Sequence, residues 1–163
     1  MISVMVFSLL ERFAFNRQTL DAKTRPIFLI VLINLLVSLV FSASLLFPFV
    51  ILVAPLQFFT IAALNIPEFL IIILSILIID FIYYVTHRLH HRIPLLWRLH
   101  RLHHSDTQIN AQTTLLHHPL ELVTNNLFVI LGAVMLGLPT IALFYYGIIL
   151  GLHSAFTHIE FAI

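Results

Sequence analysis

Long apolar runs alternate along the chain with short polar stretches, and the run lengths decide what each can be. Residues 1–10 are apolar but too few to span a bilayer, which takes roughly 20 helical residues. Residues 11–25, ERFAFNRQTLDAKTR, are polar. Pro26 opens the first long run, residues 26–53, which is ample for one crossing with a tilt or a kink at Pro48. Residues 54–65 hold Pro55, Gln57 and Asn65, and the second run follows over residues 66–86. Pro67 and Glu68 suit the first turn of its helix. A third apolar stretch runs from Leu127 to Leu152 and is broken at Gly137-Leu138-Pro139. Its legs, of roughly 10 and 13 residues at about 1.5 Å each, are too short to cross separately. The stretch is therefore one kinked crossing or a re-entrant hairpin, and irregular backbone at that depth needs protein cover.

Composition sharpens this into an integral membrane protein. The chain is 61% hydrophobic and 9% charged, where a water-soluble domain carries about 25% charged residues. Its mean hydropathy is +1.07. All eight Lys and Arg residues fall in 11–25 or 88–101, and the loop over 54–65 has none. Two crossings place both basic regions on one side, and basic residues favour the cytoplasm. A formal charge of +1 gives no reason to expect nucleic acid as a partner. The absence of cysteine excludes disulfides, iron–sulfur clusters and thiolate zinc sites, so any metal must be held by nitrogen or oxygen. No signal-peptide layout, internal repeat or low-complexity linker is visible.

The chemistry concentrates just past the second run, in HRLHHRIPLLWRLHRLHHSD, residues 87–106, where six residues are histidine. Positions three or four apart share a helix face. His87 and His91 are so spaced, and His90 lies three from His87. Pro94 interrupts the helix, and a new segment near Leu95 carries His100, His103 and His104, with His100 and His104 again four apart. Single histidines at a membrane edge are usually interfacial, and an Arg/His-rich loop can simply meet anionic headgroups. Two helically spaced clusters among four arginines argue otherwise. Gathered imidazolium ions would repel one another there, whereas a ligating imidazole is neutral. Imidazole suits zinc, copper, iron and nickel. With His117, His118, His153 and His158 the chain holds ten histidines, more than one four-coordinate site needs, which fits two metals better than one. The HExxH pattern of zinc proteases is absent.

Asp80 sits inside the second apolar run, seven residues before His87, and an ionisable residue at that depth points to function. It is suited either to orienting a ligating imidazole or to pairing with a Tyr or Thr hydroxyl. Tyr83, Tyr84 and Trp97 read as interfacial aromatics, with Tyr84 a candidate partner of the site. Glu121, three after His118, fits a ligand, a carboxylate supporting a ligand, or a first-turn residue.

The patterns D-F-x-Y-Y-x-x-H-R-x-x-H (Asp80–His91), L-W-x-x-H-x-x-H-H-S (Leu96–Ser105) and H-P-L-E (His118–Glu121) closely resemble the fatty acid hydroxylase/sterol desaturase superfamily. The resemblance covers about residues 66–163 and implies a membrane enzyme with a histidine-held pair of iron ions that hydroxylates or desaturates lipids using O₂. Carried over by position, the ligands are His87, His91, His100, His103, His104 and His158, with His153 able to join them. His118 falls in the H-P-x-E element without an assigned ligand role, and His90 and His117 are extra to the pattern. Glu160 stands where the family commonly has Asn, and a later H-x-x-H-H box is missing, so either the chain is a fragment ending at Ile163 or its metal site is incomplete. A metal cluster that includes His153 or His158 favours the hairpin for residues 122–152.

The expectation is thus an all-α membrane bundle in one domain. It comprises a cytoplasmic segment over 1–25, two crossings within 26–86, a His-rich segment over 87–121, the apolar hairpin over 122–152, and the start of a further metal-binding part over 153–163. The function expected is a di-iron oxygenase in a bacterial inner membrane or the endoplasmic reticulum, with the His-rich face cytoplasmic. Its partners would be O₂, a fatty acyl, sterol or related lipid and the surrounding membrane lipids. No dinucleotide fingerprint is present, so electrons would come from a separate cytochrome b5-like or ferredoxin-type protein. Two rivals stay open: a membrane cytochrome with bis-histidine haem, and a non-catalytic metal- or lipid-binding module.

Overall fold

The computed structural model describes residues 20–106 and 111–157, and every element among them is helical. Helix α1 is Leu20–Phe41 and runs through Pro26 rather than starting there. It passes into a π-helical turn, Ser42–Leu46, and then into α2, Phe47–Val53. The π turn directly precedes Pro48, which has no N–H to give the carbonyl four residues back. The sequence-predicted disturbance therefore appears as a change of helix type. Two short 3₁₀ turns, Ala54–Leu56 and Ile61–Leu64, cross to α3, Glu68–Arg92. At 25 residues α3 is about 37 Å long. Its N-cap is Pro67, and it runs beyond the apolar stretch to carry His87, His90 and His91 in its last turns. Extended Ile93 (φ −91°, ψ 118°) ends it, as the residue before a proline should. Pro94 then opens α4, Pro94–His100, and a 3₁₀ turn, His103–Ser105, follows. A last 3₁₀ turn, Ala111–Leu115, leads to α5, Pro119–Met135, and α6, Thr140–Thr157.

Helix α3 is central and packs against α4, α5 and α6, while α5 also packs against α1 and α2. A small buried core of Ile61, Ile79, Ala133, Leu138, Ala142 and Tyr146 joins α3 to the α5–α6 pair. Most large apolar side chains face outward instead. Only 17% of the apolar window of α3, and 12% of that of the first span, is buried. The core helix of a water-soluble protein would be mostly covered, so these two helices are long, apolar and bare in the way a lipid-facing span is.

The chain reverses at Gly137, so residues 119–157 form a hairpin rather than one kinked rod. Gly137 has φ +56°, and the Leu138 and Gly137 amides donate to the carbonyls of Ala133 and Val134 (2.9 and 3.1 Å), a Schellman ending. The tip is tied to the loop after α2. The Phe58 amide donates to Met135 O (3.2 Å) and the Ile61 amide to Leu136 O (3.2 Å). The legs have 17 and 18 residues, about 25 and 27 Å, because each helix extends through polar positions flanking its apolar part. They are longer than the apolar run alone predicts.

Candidate metal centre

Four imidazoles converge where α3 and α4 meet. Pro94 sets the angle between the helices, and the i,i+4 spacings supply two rings from each side. His91 Nε2 lies 3.3 Å from His87 Nε2 and 3.2 Å from His100 Nε2. His104 Nε2 lies 3.1 Å from His100 Nε2. Ligand nitrogens of His87, His91 and His100 all fall within 4.8 Å of one another. Trp97 flanks His91 and His104, with ring centroids 5.4 and 5.7 Å away.

Glu121 fixes what these nitrogens can do. Its buried carboxylate accepts from His100 Nδ1 at 2.7 Å and from His117 Nδ1 at 2.9 Å, both at Oε1. With the proton on Nδ1, neutral His100 presents only a lone pair at Nε2. That one lone pair faces both His91 and His104, and it can accept from only one of them. A shared cation resolves the conflict. A metal–imidazole bond of about 2.1 Å separates neighbouring ligand nitrogens by about 3.0–3.4 Å, which brackets the observed 3.1–3.3 Å edges. The donor set therefore fits a nitrogen-liganded metal ion. Protonation agrees: partial burial, then the adjacent His100 and His91, hold the His104 pKa below the ordinary histidine value. Burial works to raise the Glu121 pKa, but the His100 and His117 hydrogen bonds outweigh it and hold the carboxyl well below the usual range.

The remaining histidines separate by role. His103 stacks on His117 at 4.6 Å with planes 4° apart. His103 and His117 line a cavity of about 390 Å³ with His87, His153, Asp80 and Tyr84. His153 thus opens onto the same space as His87, as the hairpin requires. His90 is buried, its Nδ1 2.9 Å from Thr86 O within α3 and its Nε2 3.1 Å from Thr124 Oγ1 on α5, so both ring nitrogens are engaged and the second clasps α3 to α5. His118 is the N-cap of α5, and its Nδ1 accepts from the Leu120 amide (3.2 Å). H-P-L-E is therefore a helix start: cap, proline, then Glu121 delivered inward to His100. Asp80 accepts from Tyr146 Oη at 3.2 Å, a tyrosine rather than an imidazole. Tyr84 accepts from Arg88 at 2.9 Å. His158 lies outside the described residues.

Sequence reasoning set His117 aside as extra. The structure gives it to Glu121 and His103. The signal was present, since His117 and Glu121 are four apart at a helix start. Asn34 was also missed; it donates to the His117 carbonyl (3.1 Å) and ties α1 to the site.

The fatty acid hydroxylase family model matches residues 72–163, more than half the chain and every element that carries this cluster. The chain belongs to the fatty acid hydroxylase family. The assignment agrees with the resemblance carried by the histidine motifs. No curated protein and no solved structure matches this hydroxylase-family chain.

Proposed function

We propose that this fatty acid hydroxylase family member is a membrane-embedded di-iron oxygenase that hydroxylates or desaturates a lipid C–H bond with O₂ and electrons from a separate protein. One observation carries the reading. Successive Nε2 atoms of His87, His91, His100 and His104 lie at ligand spacing, the first three within one 4.8 Å group, and Glu121 sets the tautomer of His100. His103, His117 and His153, which share the adjoining cavity with His87, are the further nitrogen donors available to a second ion.

Iron held there would supply the O₂ chemistry that an unactivated C–H bond needs and that acid–base groups lack. The chain's own residues hold and shield it. Glu121 keeps the His100 proton on Nδ1, which leaves Nε2 to face the cluster, and it holds His117 through Nδ1 as well. Trp97 covers His91 and His104, and the bare apolar helices α1 and α3 suit lipid on either side. The charge asymmetry favours a cytoplasmic histidine end, within reach of a soluble electron donor.

Anaerobic reconstitution of purified protein with ferrous salt tests this. We expect about two irons per chain with no haem absorption, and His100→Ala to lose most of the bound metal. A haem spectrum would favour the cytochrome instead. No stoichiometric iron, or full iron retention in His100→Ala, would overturn the proposal.

A further inference from the structure

The α3–α4 corner carries four arginines, Arg88, Arg92, Arg98 and Arg101, and all four are exposed. Among the described residues none of them pairs with a carboxylate, and the ion pairs there are those of Glu121 with His100 and His117. Arg88 donates to Tyr84 Oη at 2.9 Å. Asp106, in the same stretch of chain, accepts from Thr113 Oγ1 at 2.9 Å. The described protein therefore gives this edge positive charge without a matching negative one.

Apolar side chains lead into those charges. On α3 the exposed residues Leu77, Phe81, Tyr84 and Arg88 follow one another at steps of three or four, so one strip of the bare helix ends in a tyrosine and an arginine. Aliphatic, then aromatic, then cationic is the order met on leaving a hydrocarbon layer for the headgroups. Past Pro94 the order repeats. Leu95, Arg98 and Arg101 are three apart, and Trp97 and Arg101 four apart, so each pair shares a side of α4. Leu95 is 68% exposed and Trp97 38%.

We infer that the α3–α4 corner is a docking surface for anionic phospholipid, whose acyl region covers Leu95 and Trp97 and whose phosphate is held by Arg98 and Arg101. A guanidinium offers two parallel N–H donors to two phosphate oxygens. Arg88 and Arg92 add to the attraction along the same edge. The apolar lead-in favours lipid over an acidic water-soluble protein, because Leu95 and Trp97 lie within two turns of the end of a lipid-facing helix. Trp97 also flanks His91 and His104, so lipid seated here borders the exposed rim of the histidine cluster. The inference goes beyond the oxygenase reading and does not depend on which metal the cluster holds.

Trp97 is the only tryptophan in the chain, so its fluorescence reports on this surface alone. The test places the purified full chain in phosphatidylcholine nanodiscs that carry equal amounts of a dibrominated quencher lipid, either phosphatidylglycerol or phosphatidylcholine, brominated close to the glycerol. We expect brominated phosphatidylglycerol to quench Trp97 as though enriched about fivefold or more over brominated phosphatidylcholine, since each arginine at an anionic surface is worth about that factor. Molar salt should bring the two lipids together, as screening removes attraction between exposed charges. Arg98→Gln combined with Arg101→Gln should do the same at low salt. The salt comparison uses wild-type protein and so holds even where the double variant folds poorly. Equal quenching by the two lipids in wild-type protein overturns the inference, as does a preference that survives molar salt or the paired substitution. Quenching by neither lipid also overturns it, and would assign this face to a water-soluble partner.

Discussion

The two ends of the α5–α6 hairpin solve the same problem in opposite ways. Both must settle the backbone polar groups that helix ends leave without partners. At the tip, the protein does this alone. Gly137 adopts a left-handed conformation, the Schellman bonds close α5, and the Phe58 and Ile61 amides take the Met135 and Leu136 carbonyls. At the open end, the Nε2 atoms of His87, His91, His100 and His104 follow one another at 3.1–3.3 Å, and the one His100 lone pair faces two of them. The tip is complete as protein, whereas the imidazoles at the open end could hold a cation. Stability at the tip should therefore be indifferent to metal, and order at the open end should depend on it.

The sharpest way to break this contrast is at Gly137. A Cβ there would lie 2.7 Å from Gln57 Nε2 and 3.0 Å from Phe59 O and Thr60 Cα, two of the three on backbone, and would still need a positive φ. The strain of left-handed backbone alone is about 1–2 kcal/mol. With the clashes, Gly137→Ala should cost about 3 kcal/mol or more. Thermal or chemical unfolding in detergent should show the same loss with and without bound metal. A loss that shrinks when metal is added would mean that the two ends are not independent.

Glu121→Gln probes the other end. The amide keeps the volume and one acceptor oxygen but loses the charge that fixes two Nδ1 protons. Supporting carboxylates of this kind are typically worth 10–100-fold in metal affinity. We expect a loss in that range by competition with a chelator of known affinity, and unchanged unfolding of the metal-free protein's hairpin tip by hydrogen exchange at the Phe58 and Ile61 amides. Wild-type metal affinity in this variant would remove Glu121 from the centre.

What the sequence revealed follows the range of the physics involved. The two long apolar helices, the break at Pro94 and the grouping of His87 with His91 and of His100 with His104 are local features, set by run length, proline and i,i+4 spacing. The reversal at Gly137 was visible as one of two options, and contacts with residues 57–61, some 75 positions away, select it. Glu121 stood open among three roles because its partner His100 is 21 residues distant, on another helix. His90 looked equivalent to His87 on spacing alone. Its burial against Thr124 depends on how α5 docks, and no local pattern encodes that. Asp80 was legible as a functional depth, but its partner Tyr146 lies 66 residues on.

The smallest effect expected separates a cap from a ligand. His118 lies beside His117 and three residues before Glu121, so its position in the chain alone allows either role. In the structure its Nδ1 accepts from the Leu120 amide, one of the donors that a helix start leaves without a partner. Replacing an N-cap with alanine costs about 1 kcal/mol. His118→Ala should lower stability by about that much, by freeing the α5 start, and should leave metal stoichiometry and affinity unchanged. The nitrogen donors that converge do so through the Glu121 carboxylate and the α3–α4 corner, and the His118 ring bonds the Leu120 amide instead. A tenfold drop in metal affinity with little change in unfolding would move His118 from the scaffold into the centre, and would put the boundary between the self-sufficient and the metal-dependent parts of the hairpin one turn deeper into α5.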